Sequence, residues 1–576
     1  MSTDQTASSG RQAIDWAGLG WLYLFFWYFS GITQLMIGFS GAAGFQGLKQ
    51  ASTVTLVWLI PPLLFPRATR VLTAITGGLL WLCSLAGFGY FLVYRQEFSQ
   101  SVLFIMFESN TKEASEYLEH YFSWSILLAT AIYGLGGYLL WRRIRPVHLP
   151  RRIALVTSLL LFTGSMGYEA TRQYFKRDTL ERAISEFEEN IEAASPWQLL
   201  VGYHQYRQQL DSMAQQLASQ ARIPPLQDLA DAHAGEPVTL VLVLGESTNR
   251  QRMSLYGYPR PTTPNLDRIR DELQVFDHVV TPRPYTIEAL EQVLTFADQE
   301  HPDRYLTTPS LVKVMKQAGY RTWWITNQQT MTRRNTMLTT FSEQTDQQVY
   351  LNNNRDQNLT SQYDGDVLAP FASALADPAP RKFIVVHLLG THMRYQYRYP
   401  NSFSRFTDRT GVPASVTDDQ LPTYNSYDNA VLYNDHVVSS LISHFRSTNP
   451  KGFLLYLADH GEAVFDAPHP GILGRNEAAP TSPMYTVPFI LWRSEKWRQA
   501  QPGDFSQALH RPYSTSSFIY TWADLAGLRF TGFDPSKSLV SPDYKAYPLL
   551  IGNPQHPRNL IDFSLISPRA PAPATR

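Results

Sequence analysis

Apolar positions in this chain fall into two regimes. Over the first 170 residues they come in long unbroken blocks; from about residue 237 they come in short runs separated by amphipathic stretches. Residues 16–39 are almost wholly apolar and aromatic. A helix needs about 20 such residues to cross the roughly 30 Å hydrocarbon core of a bilayer, so this block predicts a membrane span. It is too long for the core of a removable signal peptide and lacks a small-residue cleavage site. Residues 71–94, 122–141 and, with their flanks, 153–167 predict three more spans. Residues 53–65 form a shorter apolar run with Pro61 and Pro62 near its end. That run spans only if the weakly polar residues before it are recruited.

Charge in the connections orients these spans. Residues 141–152 read WRRIRPVHLPRR and hold five arginines, and residues 65–70 hold Arg67 and Arg70. The connections 41–52 and 95–121 are far less basic. Positive charge stays on the cytoplasmic side, which predicts a cytoplasmic N-terminus. Five crossings then put everything after about residue 170 outside, in the periplasm of a Gram-negative cell. The connection 95–121 contains ESNTKEASEYLEHYF, a predicted helix capped near Ser109 or Asn110 with Glu113 and Glu116 behind it. Its glutamates are either a solvated face or a site for a cationic lipid headgroup. Residues 181–192 and 203–221 read as amphipathic helices lying along the membrane surface.

In the second regime strands alternate with helices. Residues 239–245, 321–326, 382–390, 452–458 and 487–492 are candidate strands, and stretches such as 310–318 and 434–445 are helical in pattern. Alternation of this kind predicts an α/β domain with a mainly parallel central sheet between helices. The expected organisation is a transmembrane domain of about five helices over 1–170, linker helices over 171–236, an extracytoplasmic α/β domain over 237–566 and a Pro/Ala-rich tail over 567–576. No short-period repeat is visible.

Composition narrows the function classes. Lys plus Arg and Asp plus Glu both number 49, which argues against nucleic-acid binding, where a basic excess is expected. The single cysteine, Cys83, lies in an apolar block. The outer domain must therefore be held by its own core, without disulfides.

Four pieces that end or follow the predicted strands carry candidate chemistry. TLVLVLGESTNR runs from a strand buried on both faces into Gly245, Glu246 and Ser247, at the strand end where α/β folds place chemistry. PRPYTIEAL puts Thr286 just before a helical pattern. VHLLGTH brackets a turn with His387 and His392. LADHGE sets Asp459 and His460 directly after an apolar strand, with His469 a little further on. A Glu with an Asp–His pair offers oxygen and imidazole ligands that suit Zn²⁺. A hydroxyl completing that shell would become a nucleophile, and Thr286 could supply it. Singly each piece is ordinary, since a Thr at a helix start is usually a cap and DHG is a common turn.

The wording of these pieces resembles one family. LVLGESTNRQRMSLYGYPRPTTPNL over 242–266 is similar to the opening of the catalytic domain of the lipopolysaccharide phosphoethanolamine transferases, members of the alkaline phosphatase/sulfatase superfamily. RPYTIEALEQVLTFAD, WWITNQQTMTRRNTML, VVHLLGTHMRYQYRYP, YDNAVLYNDHVV and LADHGEAVFDAPHPGILGRNE continue the likeness. It extends through the membrane part, SNTKEA included, and looks closest to the subgroup acting on a core heptose. The resemblance implies that Glu246, Thr286, Asp459 and His460 bind zinc, and that Thr286 becomes modified by phosphoethanolamine. It implies that His387, His392 and His469 line the phosphate and acceptor side. Ser109, Asn110 and Glu113 would contact the ethanolamine end of a phosphatidylethanolamine donor, and the acceptor would be lipopolysaccharide at the bacterial inner membrane.

Two departures sharpen this. Lipid A-modifying members carry cysteine pairs in the soluble domain, and this chain has none there. The Cys/Ser-x-Pro-x-Arg pattern of formylglycine sulfatases is absent around Thr286. Transfer to lipid A, manganese-dependent phosphoglycerol transfer to a glycan, and a non-enzymatic membrane scaffold remain the rival readings.

Overall fold

The apolar blocks of the first regime fold as helices. The computed structural model describes residues 15–40, 45–94, 98, 106, 123–167, 187–188, 191–219, 223–328, 336–351, 363–466 and 471–567. The chain divides into two units, Met1–Gln209 and Leu210–Arg576. In the first, α1 (Trp16–Ser40), α2 (Gln46–Val54), α3 (Ile60–Leu64), α4 (Thr69–Tyr94), α5 (Trp124–Arg142) and α6 (Arg151–Phe162) follow one another. Asp15 starts α1 by accepting a hydrogen bond from the Gly18 amide at 2.8 Å, and Ser123 caps α5 by accepting from Ile126 N at 3.2 Å.

Phe25, Phe26, Phe29, Leu63, Leu80, Phe88 and Tyr133 form a core within this unit. The Tyr133 hydroxyl donates to Phe29 O at 2.8 Å and meets Ser84 Oγ at 2.7 Å, so the phenol buried among rings is satisfied. Leu79, Leu82, Leu127, Leu128, Leu159 and Leu160 point outward, as lipid-facing residues do. Among the described residues, three helical stretches are long and apolar enough to cross a membrane: Trp16–Ser40, Pro66–Val93 and Trp124–Arg142. The run 53–65 continues α2 without a gap as a 3₁₀ segment, Thr55–Leu59, and the five-residue α3 with Pro61 and Pro62 in its first turn, so the weakly polar residues before it are recruited into one helical stretch. The block 153–167 is α6 followed by a π-helical turn, Thr163–Gly167, and the residues directly after it lie outside the described ones. Residues 203–221 fall largely within α7 (Trp197–Ser219).

In the second unit seven strands form the main sheet: β1 (Val238–Gly245), β2 (Leu273–Phe276), β3 (Arg321–Thr326), β4 (Gln347–Tyr350), β5 (Arg381–His387), β6 (Gly452–Ala458) and β7 (Phe489–Arg493). Their order is β2-β7-β6-β1-β5-β3-β4. Only β7 runs against its neighbours β2 and β6; the other pairings are parallel. Every residue of β1 is buried, the signature of a strand covered by helices on both faces. Leu244 pairs with His387 and Gly245 with Ala458. That register brings Glu246, His387 and Asp459 to one edge of the sheet. The predicted strand 382–390 stops at His387 because Leu388–Gly390 turn. The short edge strands β2 and β4 were not anticipated; their half-polar composition carries little periodic signal.

Two further helices, α8 (Thr286–Val293) and the long α9 (Leu421–Thr448), flank this edge. The loop after β1 is tied to α9 by buried charge. Arg252 donates to Asp428 Oδ1 from Nε at 3.0 Å and Nη2 at 2.6 Å, and Arg260 Nη1 donates to Asp428 Oδ2 at 2.8 Å. Arg252 also stacks 3.7 Å from the Tyr424 ring centroid. Asp428 has no exposed side-chain surface, so removing it takes the ion-pair partner from buried Arg260 and one of two from buried Arg252. Asp428→Ala is expected to destabilise the fold by about 3–5 kcal/mol, read as a lowered thermal-unfolding midpoint of the full chain. An unchanged midpoint would mean this cluster does not hold the loop.

Candidate active site

The site is built where the three central strands end. Glu246 directly follows β1, and the backbone then turns sharply: Ser247 sits at φ +57°, a conformation costly for a residue with a Cβ. Tyr427 of α9 holds this turn, its hydroxyl donating to Ser247 O at 2.8 Å and accepting from Asn249 N at 2.9 Å. From the β5 side the loop Leu388–Thr391 closes over Glu246, with Thr391 N donating to Glu246 O at 3.0 Å. Gly390, at φ +54°, packs so tightly that a Cβ would lie 2.6 Å from Glu246 O. Only glycine permits that approach.

Four of the sequence-predicted residues meet here. Thr286 Oγ1 donates to Glu246 Oε2 at 2.9 Å and lies 3.2 Å from His460 Nε2. His460 Nε2 is 3.3 Å from both Glu246 Oε1 and Asp459 Oδ2. Asp459 Oδ1 accepts from Ser247 N at 3.1 Å and from His460 N at 2.7 Å. Glu246, Asp459 and His460 are all but completely buried, while Thr286, at the start of α8, is half-buried. One ligand atom from each of the three buried residues falls within 4.8 Å of the others. Asp459 Oδ2 has no hydrogen-bond partner although it is fully buried. An orphaned carboxylate oxygen facing a second carboxylate and an imidazole fits a divalent cation.

Charge in the cluster is uneven. Burial opposes ionisation of Glu246, but His460, His392 and Arg475 together hold it well below the ordinary carboxylate range. Burial and the neighbouring Glu246 push Asp459 well above that range. Burial lowers His387 and His392 to about 4, so both rings are neutral at pH 7. His387 lies fully buried with neither ring nitrogen bonded and its ring edge-on to Trp324 at 6.0 Å. His392 is half-buried in the turn after β5. His469, Ser109, Asn110 and Glu113 lie outside the described residues.

Sequence reasoning gave no role to four members of the site. Gln328 Nε2 donates to Glu246 Oε2 at 3.2 Å, and Ser247 Oγ donates to Glu246 Oε1 at 2.8 Å. Arg475 Nη1 reaches Ser247 Oγ at 3.3 Å, His460 Nε2 at 2.5 Å and Nδ1 at 3.1 Å, and Glu246 Oε1 at 3.6 Å. Glu462 is buried with both carboxylate oxygens unbonded, and burial pushes it up to about 7. GESTNR, LADHGE and GRNE contain three of them, but no spacing rule joins Arg475 to a strand end far from it in sequence. A second group able to hold a metal, Asp277, His278 and His510, is exposed, and its members bond one another at 2.6 and 2.7 Å.

A hydroxyl at a helix start thus faces a buried carboxylate–imidazole cluster at the edge of an α/β sheet, and residues 238–528 match the sulfatase family model. The chain is 50% identical over 566 residues to phosphoethanolamine transferase EptC of Escherichia coli, covering 97% of this chain and 98% of that protein. It is 51% identical over 561 residues to phosphoethanolamine transferase CptA of Salmonella typhimurium, covering 96% and 97%. The crystal structure of the C-terminal periplasmic domain of EcEptC from Escherichia coli in complex with Zn aligns at TM-score 0.58 and 56% identity, over 60% of this chain and 97% of that chain. The integral membrane protein lipooligosaccharide phosphoethanolamine transferase A (EptA) from Neisseria meningitidis aligns at TM-score 0.63, over 91% of this chain and 98% of that chain, at 18% identity, a likeness of fold alone. This chain belongs to the phosphoethanolamine transferases of the sulfatase family.

The second half of α8 generates a pH prediction. Glu291 is pushed up to about 8, first by burial and then by Glu288. Its folded value thus exceeds its unfolded value, so its destabilising effect is absent at acid pH, below the unfolded value, and grows as pH rises toward 8. Glu291→Gln is expected to raise stability at pH 8 by at least about 1 kcal/mol, with the gain vanishing near pH 4.5. Thermal unfolding of both proteins across that range measures it; a gain independent of pH would refute the assignment.

Proposed function

We propose that this enzyme moves phosphoethanolamine from phosphatidylethanolamine to lipopolysaccharide, at a core heptose, through a covalent adduct on Thr286. The single observation carrying this reading is the Thr286 hydroxyl held between Glu246 and His460 at 2.9 and 3.2 Å. The relatives at 50% identity are phosphoethanolamine transferases, and the absence of cysteine pairs in the soluble unit supports the heptose subgroup over the lipid A one. The first spans would anchor the chain in the inner membrane with its N-terminus cytoplasmic and the α/β unit periplasmic, which supports a donor drawn from the bilayer.

Glu246, Asp459, His460 and Thr286 would hold Zn²⁺, whose charge lowers the pKa of a coordinated hydroxyl and stabilises phosphoryl oxygens. The residues of the chain do the rest. Gln328 and Ser247 fix the Glu246 carboxylate from two sides, and Glu246 aims the Thr286 hydroxyl. The N-terminus of α8 favours a phosphate next to Thr286. In the first displacement an Oγ1–P bond forms, the P–O bond to diacylglycerol breaks, and diacylglycerol leaves carrying a proton. In the second, a lipopolysaccharide oxygen forms the new P–O bond, the Oγ1–P bond breaks, and Thr286 regains a proton. Dividing one difficult displacement into two lowers each barrier. Ser109, Asn110 and Glu113 would meet the ethanolamine end, and His387, His392 and His469 the phosphate and acceptor.

Intact-mass measurement after incubation with donor is expected to show one phosphoethanolamine adduct in the wild type and none in Thr286→Ala. An adduct persisting in that variant would exclude this nucleophile. Glu246→Gln and Asp459→Asn should each lose zinc by elemental analysis; full metal content in both would exclude the ligand set.

A further inference from the structure

Three carboxylates, Glu246, Asp459 and Glu462, are buried within one small volume at the sheet edge. Such a group is stable only if compensating positive charge lies among it. The structure supplies one cation there, the Arg475 guanidinium, within 3.6 Å of Glu246 Oε1 and 3.3 Å of Ser247 Oγ. All of its bonds run from Nη1; Nε and Nη2 donate to nothing among the described residues. Its side chain keeps 11% of its surface open. The guanidinium lies over the Tyr285 ring at 5.9 Å, directly beside Thr286 in the chain, and shares His460 as a neighbour with the Thr286 hydroxyl. A planar fork with two unused prongs at a partly open face matches the paired oxygens of a phosphoryl group.

We propose that Arg475 is a phosphoryl-binding residue of this active site, supplying beside Thr286 the fixed positive charge that a second metal ion supplies in two-metal sites. This rests on the phosphoryl-transfer reading above. Arg475 adds donors aimed at the equatorial oxygens without any proton exchange, since a guanidinium stays charged throughout.

The test uses the full-length protein in detergent, loaded with zinc, with inorganic phosphate as the probe. Arg475→Ala should weaken phosphate binding about tenfold, and Arg475→Lys less, as loss of one charge-assisted bidentate contact predicts. Zinc content should stay at one ion per chain in all three proteins. Added guanidinium should restore part of the diacylglycerol release of Arg475→Ala and none of that of Thr286→Ala. Unchanged phosphate affinity in both Arg475 variants, or two zinc ions per wild-type chain, overturns the proposal. If Arg475→Ala does not fold, the Arg475→Lys comparison decides alone. A wild type that releases no diacylglycerol would sink the transferase reading, while the phosphate measurement would still judge Arg475.

Discussion

Parallel register is the constraint on which the soluble unit depends. Pairing β1 with β5 through Leu244 and His387, and with β6 through Gly245 and Ala458, leaves no freedom in where Glu246 and Asp459 emerge. A slip of one residue would turn each side chain to the other face of the sheet. The strands are buried on both faces, so such a slip would also expose apolar surface, and the core thereby enforces the geometry of the site. The Asp459 amide donates to Gly245 O at 3.0 Å, carrying the ladder one step past the strands into the ligands themselves.

Rigidity at that edge comes from polar contacts that the core cannot provide. Asp364 accepts from the amides of Leu389 and Gly390 at 2.8 and 2.7 Å and from Asn327 at 2.9 Å. One carboxylate thus clamps the ends of β3 and β5 together. On the opposite flank, Asp428 gathers Arg252 and Arg260 onto α9. With no disulfide available, these buried ion pairs fix the long loop after β1, and the strained Ser247 turn survives because its neighbours leave it no alternative.

How much of this could be read from residues alone divides along physical lines. Strands buried on both faces announce themselves as apolar runs, so β1, β3 and β6 were found within a residue. Glu246, Thr286, Asp459 and His460 were legible because each directly ends a strand or begins a helix. The edge strands Leu273–Phe276 and Gln347–Tyr350 were not, since exposure removes the alternation that marks a strand. Arg475 and Gln328 were missed for a different reason: they reach the site from loops, and only the folded chain shows which loops converge. The runs 53–65 and 153–167 carry the hydropathy of a span but fold with a 3₁₀ segment and a π-helical turn among their α-helical residues, details that composition does not encode.

Burial of the cluster bears on why such a site would transfer a group instead of hydrolysing it. Glu246, Asp459, His460 and Glu462 have essentially no contact with solvent, whereas Thr286 and Arg475 each keep some surface open. The hydroxyl and the guanidinium, with Gln328 and His392, are thus the groups of the cluster that keep contact with the surface. An acceptor hydroxyl held at the open face by its own contacts gains the advantage of proximity over dilute water. Burial of these carboxylates and of the imidazole strengthens every electrostatic contact among them.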